Sequence, residues 1–172
     1  RTNQATDDHL RSKEILNVKE GDCIRVEVVV SSIPEIIEGG HRFFSVKDHF
    51  DSSIKCAAFE PSKDFRHVID KLVIGDKLII CGSVNNGTLN LEKIRILELV
   101  TRYSKPPNPM CECGKRTHSS GKNSYYRCKA CGKKYSRPEM IAFESKLELG
   151  WYEPPASSRR HLSTPASMML KL

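Results

Sequence analysis

Apolar and polar residues alternate along Cys23–Ser31 (CIRVEVVVS), with valine dominant. A two-residue period in a β-branched run predicts a half-buried strand. His41–Lys47 (HRFFSVK) repeats the pattern after Gly39-Gly40, and Ser53–Glu60 (SIKCAAFE) repeats it after a polar turn. The period then changes. In Ser62–Val73, Phe65, Val68, Ile69 and Leu72 recur at helical spacing, with Ser62 placed to cap the helix. Asp76–Val84 and Thr88–Leu99 return to strand patterning on either side of Asn86-Gly87, a hairpin signal.

Three strands, a helix and two strands is the element order of an OB-fold, a five-stranded barrel. The predicted fold is therefore mainly β: this barrel, a small zinc ribbon, then a C-terminal helix and irregular tail. Alternation directs Ile24, Val26, Val28, Phe44, Val46, Ile54 and Cys56 inward, and Arg25, Phe43, Lys47 and Lys55 outward. A ring among cations on such a face suits single-stranded nucleic acid; an ordinary wet face with one stray Phe is the alternative. Farther on, Arg102–Pro109 (RYSKPPNP) reads as a stiff linker and Glu139–Leu149 (EMIAFESKLEL) as a helix. Trp151 and Tyr152 are expected to anchor the tail. The expected segments are a lead-in (1–20), the barrel (21–101), the linker (102–109), the ribbon (110–137), and the helix with its basic tail (138–172).

Charge divides the chain. Residues 1–100 hold 14 Lys/Arg against 16 Asp/Glu, and residues 101–172 hold 14 against 5, a balance of −2 beside +9. That asymmetry points to a polyanionic partner for the second part. No apolar run approaches the roughly 20 residues of a membrane span, and no secretory leader is visible, so a cytoplasmic protein without membrane contact is expected. The chain opens on Arg1, which suggests a piece of a longer protein.

Four of the seven cysteines lie in residues 108–140. Cys128 and Cys131 have the C-x-x-C spacing of a zinc ribbon, whereas Cys111 and Cys113 are one residue tighter. They converge only if Glu112 sits at a sharp bend, helped by Gly114, with His118 as the nearest replacement ligand. Four protein ligands leave no open position, so the expected Zn²⁺ is structural. Around it lie Lys115, Arg116, Lys122, Tyr125, Tyr126, Arg127, Lys133 and Lys134, a set suited to gripping phosphate and stacking on bases. Cys23, Cys56 and Cys81 fall on predicted strands and read as buried thiols. With no phosphate-binding loop, nucleophile motif or convincing carboxylate pair, the residues describe a binding module without catalytic residues of its own.

The ribbon NPMCECGKRTHSSGKNSYYRCKACG, the tail YEPPASSRRHLSTP and the opening RTNQATDDHL together resemble archaeal tRNA 2-agmatinylcytidine synthetase, the TiaS family. The resemblance spans nearly the whole chain and departs from the family's pattern at the C-x-C pair. It implies a parent ligase that uses ATP to attach agmatine to the wobble cytidine of the AUA-reading isoleucine tRNA. Its ATP-binding catalytic domain and ferredoxin-like domain would lie outside this chain, leaving the tRNA-holding part here. Arg159, Arg160 and His161 would then touch tRNA phosphate or a neighbouring domain, or else pack beside Glu148 and Glu153. The alternative is an OB-plus-zinc protein of the replication protein A type that binds single-stranded DNA.

Overall fold

The computed structural model describes residues 5–120 and 125–169, which form two compact units. Residues up to Val100 join those from Ser145 onward in the first; Thr101–Glu144 forms the second.

The first unit is built on five strands: β1 (Cys23–Val30), β2 (Arg42–Lys47), β3 (Ser53–Ala58), β4 (Lys77–Asn85) and β5 (Thr88–Glu98). Antiparallel pairing runs β1–β2, β2–β3, β1–β4 and β4–β5, and a parallel β3–β5 ladder closes the ring. This is the predicted barrel. Closure leaves the inner face no edge and no water, so Ile24, Val28, Phe44, Val46 and Cys56 are buried with Leu78, Ile80, Leu89, Ile94 and Ile96. Val26 packs against this core while staying partly exposed. Burial pushes the Cys56 thiol well up, and the Cys81 thiol to about 11. At Gly82 the β4–β5 register shifts, and a Cβ there would stand 2.1 Å from the Asn90 carbonyl oxygen, so only glycine allows the approach.

The helix is shorter than its periodicity predicts. α1 spans Asp64–Ile69 after a 3-10 turn at Glu60–Ser62. Ser62 does not cap it; its hydroxyl donates to the Phe59 carbonyl. Phe65, Ile69 and Leu72 still plug the barrel. Asp70 is held below its usual range by Arg42, whose Nε lies 2.5 Å from its carboxylate.

The tail belongs to the barrel unit. β11 (Gly150–Tyr152) pairs with β5, Trp151 opposite Arg95. The tail's small helix is α2, Ala166–Met169. Lead-in and tail hydrogen-bond to each other, Ala5 N–H to His161 O and Asp7 N–H to Leu162 O, and Asp7 is their hub. Its carboxylate accepts from Lys93 Nζ (2.6 Å), Arg25 (3.1 Å) and the Thr164 N–H (2.7 Å). Lys93 is 0% exposed.

Two sheets make the second unit. In the first, β7 (His118–Ser120), β8 (Tyr125–Arg127) and β9 (Lys134–Ser136) are antiparallel with β8 central. In the other, β6 (Arg102–Ser104) pairs with β10 (Ile141–Phe143), placing Arg102 opposite Phe143 where the chain enters and leaves. Two sequence expectations fail here. Residues 102–104 are strand and not linker, and Glu139–Leu149 is not helical. The backbone of Ile141–Phe143 bonds across to a strand about forty residues away, a pairing that outweighs the local helix pattern.

Candidate metal centre and nucleic-acid surface

Each cysteine pair sits on a tight turn closed in the same way. Cys111 N–H donates to Lys115 O and Cys128 N–H to Lys133 O. Inside these loops Gly114 N–H bonds back to Cys111 O, three residues away, and Gly132 N–H to Cys128 O, four away. The missing residue of the C-x-C pair is thus absorbed as one tighter turn, and both glycines have positive φ, +79° and +77°. The four sulfurs lie within 4.8 Å of one another, with Cys111 and Cys128 buried and Cys113 and Cys131 exposed. The predicted bend at Glu112 is present, and His118 is not needed as a ligand: it lies on β7 opposite Arg127.

The donor set fits a thiophilic cation. The Tyr135 hydroxyl, 3.2 Å from Cys111 Sγ, together with the Cys113 N–H, lowers the Cys111 thiol to about 6. The N–H groups of Cys131 and Ala130 lower Cys128. Cys131 rises to about 11 even though the Lys133 N–H favours its thiolate, because Cys111 opposes a second nearby negative charge. Four thiolates this close need a cation, and four sulfurs at two turns are the ligand set of structural zinc.

Strand register sorts the ribbon's predicted contacts. His118, Arg127 and Lys134 form one row across β7, β8 and β9, and Ser120, Tyr125 and Ser136 form a second row on the same side. Lys134 Nζ lies 5.1 Å from the centre of the Tyr125 ring, so this side joins three potential cations to an accessible ring. Tyr126, by contrast, points the other way with Tyr135 and is 3% exposed. Its ring fills the ribbon's small core, which corrects its assignment as a stacking residue. Sequence spacing marks His118 only as a spare ligand; strand register alone shows the row it shares with Arg127. Lys133 pairs with Glu112. Lys115, Arg116, Arg127, Lys129, Lys134 and Arg137 are exposed and form no ion pair among the described residues. Lys122 lies outside the described residues.

Elsewhere most predicted contacts are occupied internally. Arg25 is held by Asp7, with Trp151 beside it at 5.8 Å, and Lys47 pairs with Asp51 at 2.6 Å. Arg160 pairs with Glu92 on β5 and ties the tail to the barrel, whereas Arg159 pairs with Glu153 within the tail, the packing the sequence offered as the alternative to a phosphate contact. The exposed His161 offers its carbonyl to Ala5. Phe43 and Lys55 do come together, Lys55 Nζ 4.7 Å from the ring centre.

Residues 108–147 match the family described as the TiaS C-terminal zinc ribbon domain. A tRNA 2-agmatinylcytidine synthetase TiaS from Methanosarcina acetivorans is 45% identical over 96% of this chain, and one from Archaeoglobus fulgidus is 43% identical over 98%. The chain belongs to the TiaS family. A crystal structure of TiaS in complex with an isoleucine tRNA and ATP superposes on 95% of the chain at 42% identity with a TM-score of 0.77. A complex of TiaS with that tRNA, AMPCPP and agmatine does so at 38% identity and 0.72. The TiaS ribbon thus corresponds to the four-sulfur unit, and the likeness extends through the barrel and tail. The chain spans about 39% of the length of the M. acetivorans relative. Among the described residues no helix is long and apolar enough to cross a membrane.

Proposed function

We propose that this chain holds tRNA for an ATP-dependent ligase that attaches agmatine to the wobble cytidine of the AUA-reading isoleucine tRNA. The ribbon supplies most of the grip. The observation that carries this is the single ribbon face on which His118, Arg127 and Lys134 line up beside Tyr125. Phosphates bridge the cations, and a base rests against the ring. Cys111, Cys113, Cys128 and Cys131 hold one Zn²⁺, whose role is to fix the two turns and so keep the three strands in register. ATP and agmatine are handled by the ligase outside this chain, whose sequence offers no nucleotide-binding loop. A tRNA substrate implies a protein of the cytoplasm.

Because Arg102 and Phe143 face each other, residues 103–142 can be replaced by a short glycine-serine link without stretching the barrel unit. The shortened protein should keep the barrel's thermal transition and lose at least about 100-fold in tRNA affinity at low salt, together with most of the salt dependence. Titrations at several salt concentrations decide the matter. Equal affinity and slope in both proteins would move the grip off the ribbon. Tighter binding of single-stranded DNA than of tRNA would favour the replication-type reading.

A further inference from the structure

The barrel carries a ring cluster that neither its core nor its ion pairs explain. Phe43 on β2 is in register with Ala57 on β3, and both lie on the outward side. Phe59 follows on that side and meets the Phe43 ring edge-on at 6.1 Å, while His41 meets Phe59 edge-on at 5.2 Å. Phe59 remains 39% exposed. His41 Nδ1 accepts the Glu60 N–H, so the neutral ring carries its proton on Nε2. Lys55 stands over Phe43 and, unlike Arg25 or Lys47, forms no ion pair among the described residues. On β5, Thr88 pairs with Lys55 and Asn90 with Ala57, putting two short polar side chains beside the rings.

We propose that this outward face of β2, β3 and β5 is a second nucleic-acid site, a platform for one unpaired base of a bound single strand. The inference deepens the tRNA-holding reading above and rests on it. Apolar rings flanked by one free cation match a base with its adjoining phosphate, the base on Phe43 or Phe59 and the phosphate on Lys55. Thr88 and Asn90 lie within the same patch to meet the base edge. Glu35, exposed and in register with Phe43, repels a run of phosphates, so this face takes a base where the ribbon takes backbone. The two sites divide the work: most of the salt-sensitive grip lies on the ribbon, and the barrel adds stacking with a single phosphate contact.

The test uses the full chain with two probes, tRNA and a single-stranded oligouridine of about eight nucleotides. Phe43→Ala and Phe59→Ala should each weaken oligouridine binding roughly 5- to 150-fold with little change in salt slope. Lys55→Gln should lower the log–log slope by about 0.7. Phe43→Trp should retain binding and report it by quenching of the new indole. Phe59→Ala and Lys55→Gln remain informative if Phe43→Ala fails to fold, because both side chains are exposed. If these variants bind oligouridine like the parent, with unchanged thermal transitions, the platform is refuted while ribbon-dependent tRNA binding stands. If the parent chain binds neither probe, the tRNA-holding reading falls and the platform falls with it.

Discussion

The two units reach a fixed shape by different means. Five closed strands and α1 bury a continuous apolar core in the barrel unit. Among its described residues Thr101–Glu144 shows no such core; its buried side chains include Cys111, Cys128, Tyr126 and Thr117 around two turns that converge on four sulfurs. Charge follows the same division. Thr101–Glu144 carries 10 Lys/Arg against 3 Asp/Glu, so its +7 equals the net charge of the whole chain and the barrel unit is neutral. A dense set of like charges on a domain this small opposes compaction, and a metal centre can offset that where apolar burial is scarce. The second unit thus reaches its shape with little apolar burial, and the barrel unit with a continuous core.

Removing the metal should break this comparison most sharply. Structural zinc contributes on the order of 10–16 kcal/mol to such modules at pH 7. A strong chelator, or Cys128→Ser, should abolish the amide dispersion of residues 108–137 in NMR spectra and leave barrel resonances in place. Collapse of both sets together would show that the units are not independent. The next largest effect belongs to the barrel unit. Asp7→Asn keeps the shape and tolerates the positive φ of 60° at this position, but leaves Lys93 buried without a counter-ion. A loss of about 3–5 kcal/mol by denaturant unfolding is expected, with the ribbon signals unchanged. Tyr126→Ala should act within the ribbon on a similar scale, about 3 kcal/mol, as a core truncation. It should lower the temperature at which zinc is released, whereas Tyr125→Ala should weaken tRNA binding without moving that temperature. The smallest effect is Arg127→Ala, expected to reduce the log–log salt slope for tRNA by about one contact, with stability unaltered.

Much of the barrel was legible because its signal is local. Valine alternation in Cys23–Val30, helical spacing from Phe65 to Leu72 and the Asn86-Gly87 turn each act within a few residues. The clustering of the four cysteines was legible for the same reason, and the C-x-C pair looked defective only because sequence does not show that a turn can close one residue sooner. Side chains whose partners are distant in sequence were misjudged. Nothing near Arg160 announces Glu92, 68 residues away, as its partner, whereas Arg159 meets Glu153 only six residues back, the neighbour that the sequence already offered. Ile141–Phe143 read as helix because its pairing with Arg102–Ser104 is non-local. Tyr125 and Tyr126 are neighbours of one kind, and only the strand's two faces tell the accessible ring from the buried one.

The hub at Asp7 also sets an order of events on the ribosome. Its bond to the Thr164 N–H joins residues 157 positions apart. At roughly 5–20 residues per second, Asp7 waits about 8–30 s after its own synthesis for that partner to be made. The ribbon lies wholly between the two, contiguous in sequence, and can take up its metal and fold while the barrel unit still lacks its last segment. The nascent chain can thus finish its inserted four-cysteine module before the barrel unit is closed.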